Sequence, residues 1–503
     1  FAFWTPELPE RAVPPEDVYL ELLHPPADLD PALPRQERTF YRQLVGTVRT
    51  GEFTCAVVDG IVPGNRERVG TLYSLVYRDA SRRWRRIVDP LAESIPFGAA
   101  APAELYDVPA MLAARRDRPH FDGVETELDP DGVPRIVGPS NLLEIHVATA
   151  TEEGTLQGLA DRYRRIGAKI EEGEPLPPGD RSFIGYDAVQ LMPVEPTILY
   201  EGGSSFWEEL SEPIDGDGEL RVELRRPDTS NWGYDVITVA SPAPNPALLG
   251  TGRPEELLNL FETLHNFPGG GIRVVLDIVY GHADNQTVEL LNHHYFAGAN
   301  MYGQNLNYRN PATRAAWLEM QRRKNNTGVD GIRVDGAQDF KFFNPLSGRV
   351  EYDDNYLSDM AEVLQEVGDS VRRPFSIFED GRPWPAEGWE EISTYRNIIE
   401  FKPDAFQWGP LIFAHNTPSI RQFWDKKWRR VTEQMQMGAN WITGCGNHDT
   451  LRRGTQVDPE LDINWNLGGS LPEVLNNAYD NPAIALMTYG FSPGLPMDFI
   501  NCT

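Results

Sequence analysis

Hydrophobic and polar positions follow two different patterns along this chain, and the change falls near Ser140. Before it, short runs such as "GEFTCAVVDGIV" and "GTLYSLVYRDASRRWRRIVDP" alternate apolar and polar residues between Gly, Pro and Asp clusters. That period of two predicts half-buried strands in a β-rich domain over residues 1–140. The proline-heavy stretches Pro14 to Pro34 and Ala99 to Pro109 fall to its loops and edges, where a missing N–H does least harm.

From Asn141 onward, short apolar strands alternate with longer helical patterns, which is the signature of repeated βα units and a parallel sheet. "LLEIHVATA" reads as the first strand, and "GTLQGLADRYRRIGA" as its helix, with Leu156, Leu159 and Tyr163 at helical spacing. "YDAVQLMPV" is the second strand. A long acidic, Gly-rich excursion follows, and then a helix "PEELLNLFETLHNF" with Pro at its first turn. "GIRVVLDIVYGH" is the third strand, almost continuously apolar as a strand buried on both faces must be. "GVDGIRVDG", "PFSIFED", "RNIIEF", "ANWITGCGNHD" and "GLPMDFI" supply the fourth to the eighth. The expected fold is α/β, a (β/α)8 TIM barrel over residues 141–503 with inserted loops at about 197–250 and 283–310, preceded by a β-sandwich-like domain.

Composition narrows the partners. The 503 residues carry 75 Asp and Glu against 46 Lys and Arg, a formal net charge of −29. A nucleic-acid or anionic membrane surface needs a basic stripe, so neither is expected. Only six of the basic residues are Lys, and this Arg-rich acidic balance reads as a solvated surface. No apolar run reaches the ~18 residues of a membrane span. The first residues carry no basic segment followed by an apolar one, and Cys55, Cys445 and Cys502 form no paired framework and no metal-ligand spacing; both point to a cytoplasmic protein.

Candidate chemistry lies where the predicted strands end, because a TIM barrel builds its site at that face. The polar residues there are Asp277 and His282, Arg333 and Asp335, Glu379, and Asn447, His448 and Asp449. "GIRVD" is the most telling. A strand with Ile332 and Val334 on one face turns Arg333 and Asp335 together to the other, and burying two charges is costly unless each has a task. The spacing alone is equally compatible with an ion pair that closes a barrel layer and with an oriented catalytic carboxylate.

The order "DIVYGH", "GIRVD", "FED" and "GNHD" resembles the four signature regions of the α-amylase family of glycoside hydrolases. "LEIHVATATEEGTL", "AVQLMPVEP", "NWGYDVITVASP" and "MYGQNLNYRNP" are similar to branching-enzyme and trehalose-releasing relatives over most of residues 141–503, and "VDP" at Asp89 resembles the end of their N-terminal β-sandwich. The resemblance implies a covalent double displacement with Asp335 as nucleophile and Glu379 as acid and base, Asp380 being the neighbouring rival. It implies Asp449 as the carboxylate that grips sugar hydroxyls, His448 and His282 as hydroxyl donors, and Tyr234 and Asp235 as stacking platform and hydroxyl anchor. Asp277 would orient its neighbours, and Arg333 would keep Asp335 ionised.

Two positions depart from the pattern. Gly281 stands where many amylases have an Asn that helps hold calcium, so no metal and no cofactor are expected. Gln338 and Asp339 replace a Lys-His pair that contacts sugar beyond the cleaved bond, which favours a short aglycone. With the acidic insert and a tail after which no C-terminal β domain follows, these features resemble the glucosylglycerol hydrolase branch. The expected partner is a small carbohydrate, and the sequence does not set an oligomeric state. The alternatives are a transglycosidase or phosphorylase on the same scaffold, and a non-catalytic carbohydrate-binding or transporter-associated homologue.

Overall fold

The computed structural model describes residues 1–198, 206–211, 216–228, 231–337, 340–379, 402–408, 440–444, 447–448, 458–460, 465, 467–479 and 494–500. Eight parallel strands form the central sheet: β1 (Leu142–Ile145), β2 (Ala188–Leu191), β3 (Arg273–Val279), β4 (Gly331–Asp335), β5 (Phe375–Glu379), β6 (Phe406–Trp408), β7 (Ile442–Gly444) and β8 (Leu495–Phe499). Neighbours in sequence are neighbours in space, and β8 returns to pair with β1. Among the described residues, a single parallel bridge, Gln407 to Trp441, joins β6 to β7 and closes the barrel. The sixth strand is therefore Phe406–Trp408; the "RNIIEF" segment expected there lies outside the described residues.

Local signals explain the elements. Helix α1 (Leu156–Glu172) starts where the Thr155 side chain accepts the Gly158 N–H and ends at Gly173, whose left-handed φ of 72° suits glycine. Leu156, Leu159, Tyr163 and Ile166 bury its one apolar face. Helix α2 (Glu255–His265) follows Pro254 and buries Leu257, Leu260, Phe261 and Leu264 against the same core. β3 is buried from Val274 to Val279, as a run apolar at every one of those positions but Asp277 requires. Gly331 opens β4 because a Cβ there would come within 2.4 Å of the Phe375 ring.

The N-terminal part is sheet-rich. A seven-stranded antiparallel sheet contains Val18–His24, Arg35–Gly46, Leu72–Arg78 and Trp84–Ile87. A three-stranded sheet of Ala2–Trp4, Val48–Thr50 and Phe53–Cys55 sends Phe3 into the cluster formed by Leu20, Leu22, Tyr73 and Leu75. The acidic excursion does more than connect β2 to α2. Its hairpin, Trp207–Ser211 and Gly218–Arg225, joins this larger sheet, with Gly218 to Arg225 running unbroken against Arg42 to Arg35. Leu220, Val222 and Leu224 point into a core with Leu23, Phe40 and Leu72. Arg253, just before α2, donates to both carboxylate oxygens of Glu104 at 2.8 and 3.1 Å and pins the barrel to this part. Among the described residues, no helix is long and apolar enough to cross a membrane.

Candidate active site

The register Val334 to Phe378 places Asp335 and Glu379, the last residues of β4 and β5, side by side at the C-terminal mouth of the barrel. Adjacent strands are about 4.8 Å apart, and the two carboxyls come close enough to hydrogen-bond one another. Both are 8% exposed.

Arg333, fully buried, ties the site together. Its Nη1 donates to both Asp277 oxygens at 2.7 Å and to Asp335 Oδ1 at 3.0 Å. Its Nη2 lies 3.3 Å from Glu379 Oε2, which also accepts the Gly336 N–H at 2.6 Å. Burial opposes the guanidinium charge, yet Asp277, Tyr234, Glu379 and Asp335 outweigh it and hold the Arg333 pKa well above its ordinary value. The flat face of Arg333 stacks 4.3 Å over the Trp408 ring.

The carboxylates respond to the same surroundings. Burial pushes Asp277 up to about 6, against the pull of Arg333 and His448. Burial and then the facing Glu379 push Asp335 well above the ordinary carboxylate range; Arg333 pulls it back, and a hydrogen bond with Glu379 adds to the rise. The facing carboxyl makes charge on Asp335 costly, because two like charges repel in a buried site.

Tyr234 donates to Asp277 Oδ2 at 2.6 Å and stacks on His448 with ring centroids 4.7 Å apart. His448 in turn is held by Glu144, which accepts its Nδ1–H at 2.6 Å and its backbone N–H at 2.8 Å. His282 donates Nε2–H to the Tyr234 carbonyl at 3.1 Å, and burial lowers its pKa. With Nε2–H so engaged, its other ring nitrogen is left to accept when the ring is neutral. Asp235 turns toward the rim, accepting from Asn231 Nδ2 at 2.9 Å and Trp232 Nε1 at 3.2 Å. Asp449, Gln338, Asp339 and the rival Asp380 lie outside the described residues.

A family model described as hypothetical glycoside hydrolase 5 matches residues 1–503. The chain belongs to that family. No curated protein matches the sequence. Among solved structures, the chain is similar to a pullulanase from Anoxybacillus sp. LM18-11 complexed with maltotetraose, with TM-score 0.58 and 15% identity over 99% of this chain and 65% of that one. An apo pullulanase from Paenibacillus barengoltzii gives TM-score 0.57 and 16% identity over 99% and 70%. A provisionally assigned α-amylase from Salmonella typhimurium gives 0.55 and 17% over 96% and 71%. At these identities the likeness concerns the fold, and the chain spans 65% to 71% of the length of these three structures.

This member of the hypothetical glycoside hydrolase 5 family also places residues at the site that sequence reasoning passed over. Glu144 is fully buried in the apolar strand β1, the same anomaly that marked Arg333, but its partner His448 is 304 residues away. Trp408 carried no motif, and its position under Arg333 depends on β6 pairing with β5. Two groups among the described residues have His and carboxylate atoms close enough for an ion: Glu10, His293 and His294, and His120, His265 and Asp330. Neither includes a residue of the Asp335 and Glu379 pair.

Proposed function

We propose that the protein is a retaining glycoside hydrolase acting on a small α-glucoside such as glucosylglycerol. The observation that carries this reading is the Arg333 clamp, which engages Asp335 Oδ1 beside Glu379 on the next strand. A pyranose entering between the carboxyls separates them and leaves each with one task. The direct guanidinium bond favours charge on Asp335, whose Oδ2 then attacks the anomeric carbon. Arg333 and Gly336 both engage Oε2 of Glu379, leaving Oε1 to carry the proton given to the leaving oxygen as the glycosidic bond breaks. Glu379 next takes a proton from water, which attacks the same carbon and releases Asp335. His448, aimed by Glu144, donates to a sugar hydroxyl, and His282 accepts from another. Asp449 takes the role of the third carboxylate.

By the resemblance, Gln338 and Asp339 replace a pair that contacts sugar beyond the cleaved bond, which favours a short aglycone over a glucan chain. A second reading takes support from the pullulanase neighbours, one of which is complexed with maltotetraose: an oligomeric α-glucan as substrate. Incubation with glucosylglycerol, sucrose, trehalose and maltooligosaccharides, with and without phosphate, separates these readings. Hydrolysis with retention gives α-glucose as the first anomer in a time-resolved NMR spectrum. First release of the β anomer, or accumulation of glucose 1-phosphate, would refute the proposal.

A further inference from the structure

The connection that follows β3 makes a single 3₁₀ turn, His293–Tyr295, and Asn292 holds it at both ends of its side chain. Asn292 Oδ1 accepts the His294 N–H at 3.1 Å, and Asn292 Nδ2 donates to the Trp4 carbonyl at 3.3 Å. Asn307 Nδ2 donates to the His294 carbonyl at 3.1 Å. With the turn fixed in this way, the two histidine rings lie 4.2 Å apart, tilted by 34°. Both face Glu10, the last residue of the short helix Glu7–Glu10. His293 Nε2 lies 3.4 Å from Glu10 Oε2, and His294 Nε2 lies 3.0 Å from Oε1.

An ordinary ion pair leaves one feature unexplained. His294 Nε2 is shut off from solvent and has no hydrogen-bond partner among the described residues, although Oε1 stands within hydrogen-bonding distance. The separation suits a hydrogen bond and the direction does not. The separations do suit a shared ion, because ligands about 2.1 Å from a tetrahedral zinc stand roughly 3.4 Å from one another. Two imidazoles and one carboxylate are a donor set that zinc takes, and His293 and Glu10 are exposed, so an ion can enter. The other histidine group differs. His120 and His265 stack in parallel at 3.8 Å, and Asp330 hydrogen-bonds each of them, so both nitrogens that face it are already partnered.

We infer that Glu10, His293 and His294 form a zinc site that clasps the helix Glu7–Glu10 to the connection after β3. No spacing in the sequence marks it, because Glu10 lies far from the histidine pair in the chain. The site is independent of the glycosidase reading. The test titrates zinc chloride by calorimetry into the whole, tag-free chain after stripping with EDTA, and records melts with and without zinc. The wild type binds zinc saturably in the micromolar range and its Tm rises, because an ion held only by the folded state stabilises that state. His293→Ala and Glu10→Gln remove exposed groups and melt like the wild type without zinc. Each binds zinc at least about tenfold more weakly and loses the rise in Tm. Magnesium and calcium, which prefer all-oxygen ligand sets, do not displace the zinc. Absence of binding, equal binding in the two variants, or zinc that leaves the wild-type Tm unmoved overturns the clasp.

Discussion

Arg333 decides what its neighbours do, because one buried guanidinium touches three carboxylates. Its Nη1 bonds both Asp277 and Asp335 and so works against the burial that raises both carboxyls. Asp335 is thus held in the fold at a cost, with its carboxyl raised by burial and by Glu379. The consequence is an expected split between activity and stability. Asp335→Asn should lower kcat by roughly 10⁴- to 10⁶-fold, yet its Tm at pH 8 should equal or exceed that of the wild type. Loss of turnover with a lower Tm would mean that Asp335 serves the fold instead. Glu144→Ala removes both acceptors from His448, which costs about 1.5–3 kcal/mol for charged hydrogen bonds; kcat/KM should fall roughly tenfold or more, and kinetics beside a thermal melt read the two effects together. Arg333 and Asp335 were legible as charges in a buried strand. Glu144 sent the same signal, but its meaning required a partner that only folding supplies.

Elements cooperate across long stretches of chain. The hairpin at 206–225 brings Trp207, Leu220, Val222 and Leu224 to cover Phe40 and Leu72. Each buried side chain of this size contributes roughly 1.5–3 kcal/mol, and the hairpin also pairs the otherwise open edge of Arg35–Gly46. A fragment of residues 1–140 should therefore show no cooperative melt by circular dichroism, whereas the whole chain should. At the opposite end of the barrel, His265 at the end of α2 bonds Asp117 at 2.6 Å and Asp330 at 3.0 Å. Both acceptors are carboxylates, so both ring nitrogens carry protons. Burial opposes that charge, but Asp330 and Asp117 outweigh it and raise the His265 pKa. A raised histidine contributes fully below its unfolded pKa of about 6.5, and the contribution is lost as pH rises through the folded value. The Tm gap between wild type and His265→Gln should accordingly shrink as pH is raised from 6 upward; a gap that widens would contradict the assignment.

The whole molecule carries a net charge of −29, and the self-repulsion of so many like charges opposes compaction. Added monovalent salt should raise Tm by screening it. A neutral glucoside feels none of this field at long range, so kcat/KM should change little over the same salt series; a steep fall would indicate a charged substrate. The (β/α)8 barrel, with its N-terminal sheet, brings residues from β1, β3, β4, β5, β6 and the end of β7 to one mouth.

Periodicity pointed to the barrel and so to the face on which chemistry sits, because apolar strands buried on both sides and amphipathic helices leave a pattern of their own. Motif order marked Asp277, Arg333, Asp335, Glu379 and His448. Tertiary structure decided that the acidic excursion completes a distant sheet, that β6 is Phe406–Trp408, that Glu144 aims His448 and that Glu10 meets His293 and His294. These depend on which strands pair and which loops meet. Such contacts join residues far apart in the chain, and no local run of side chains records them.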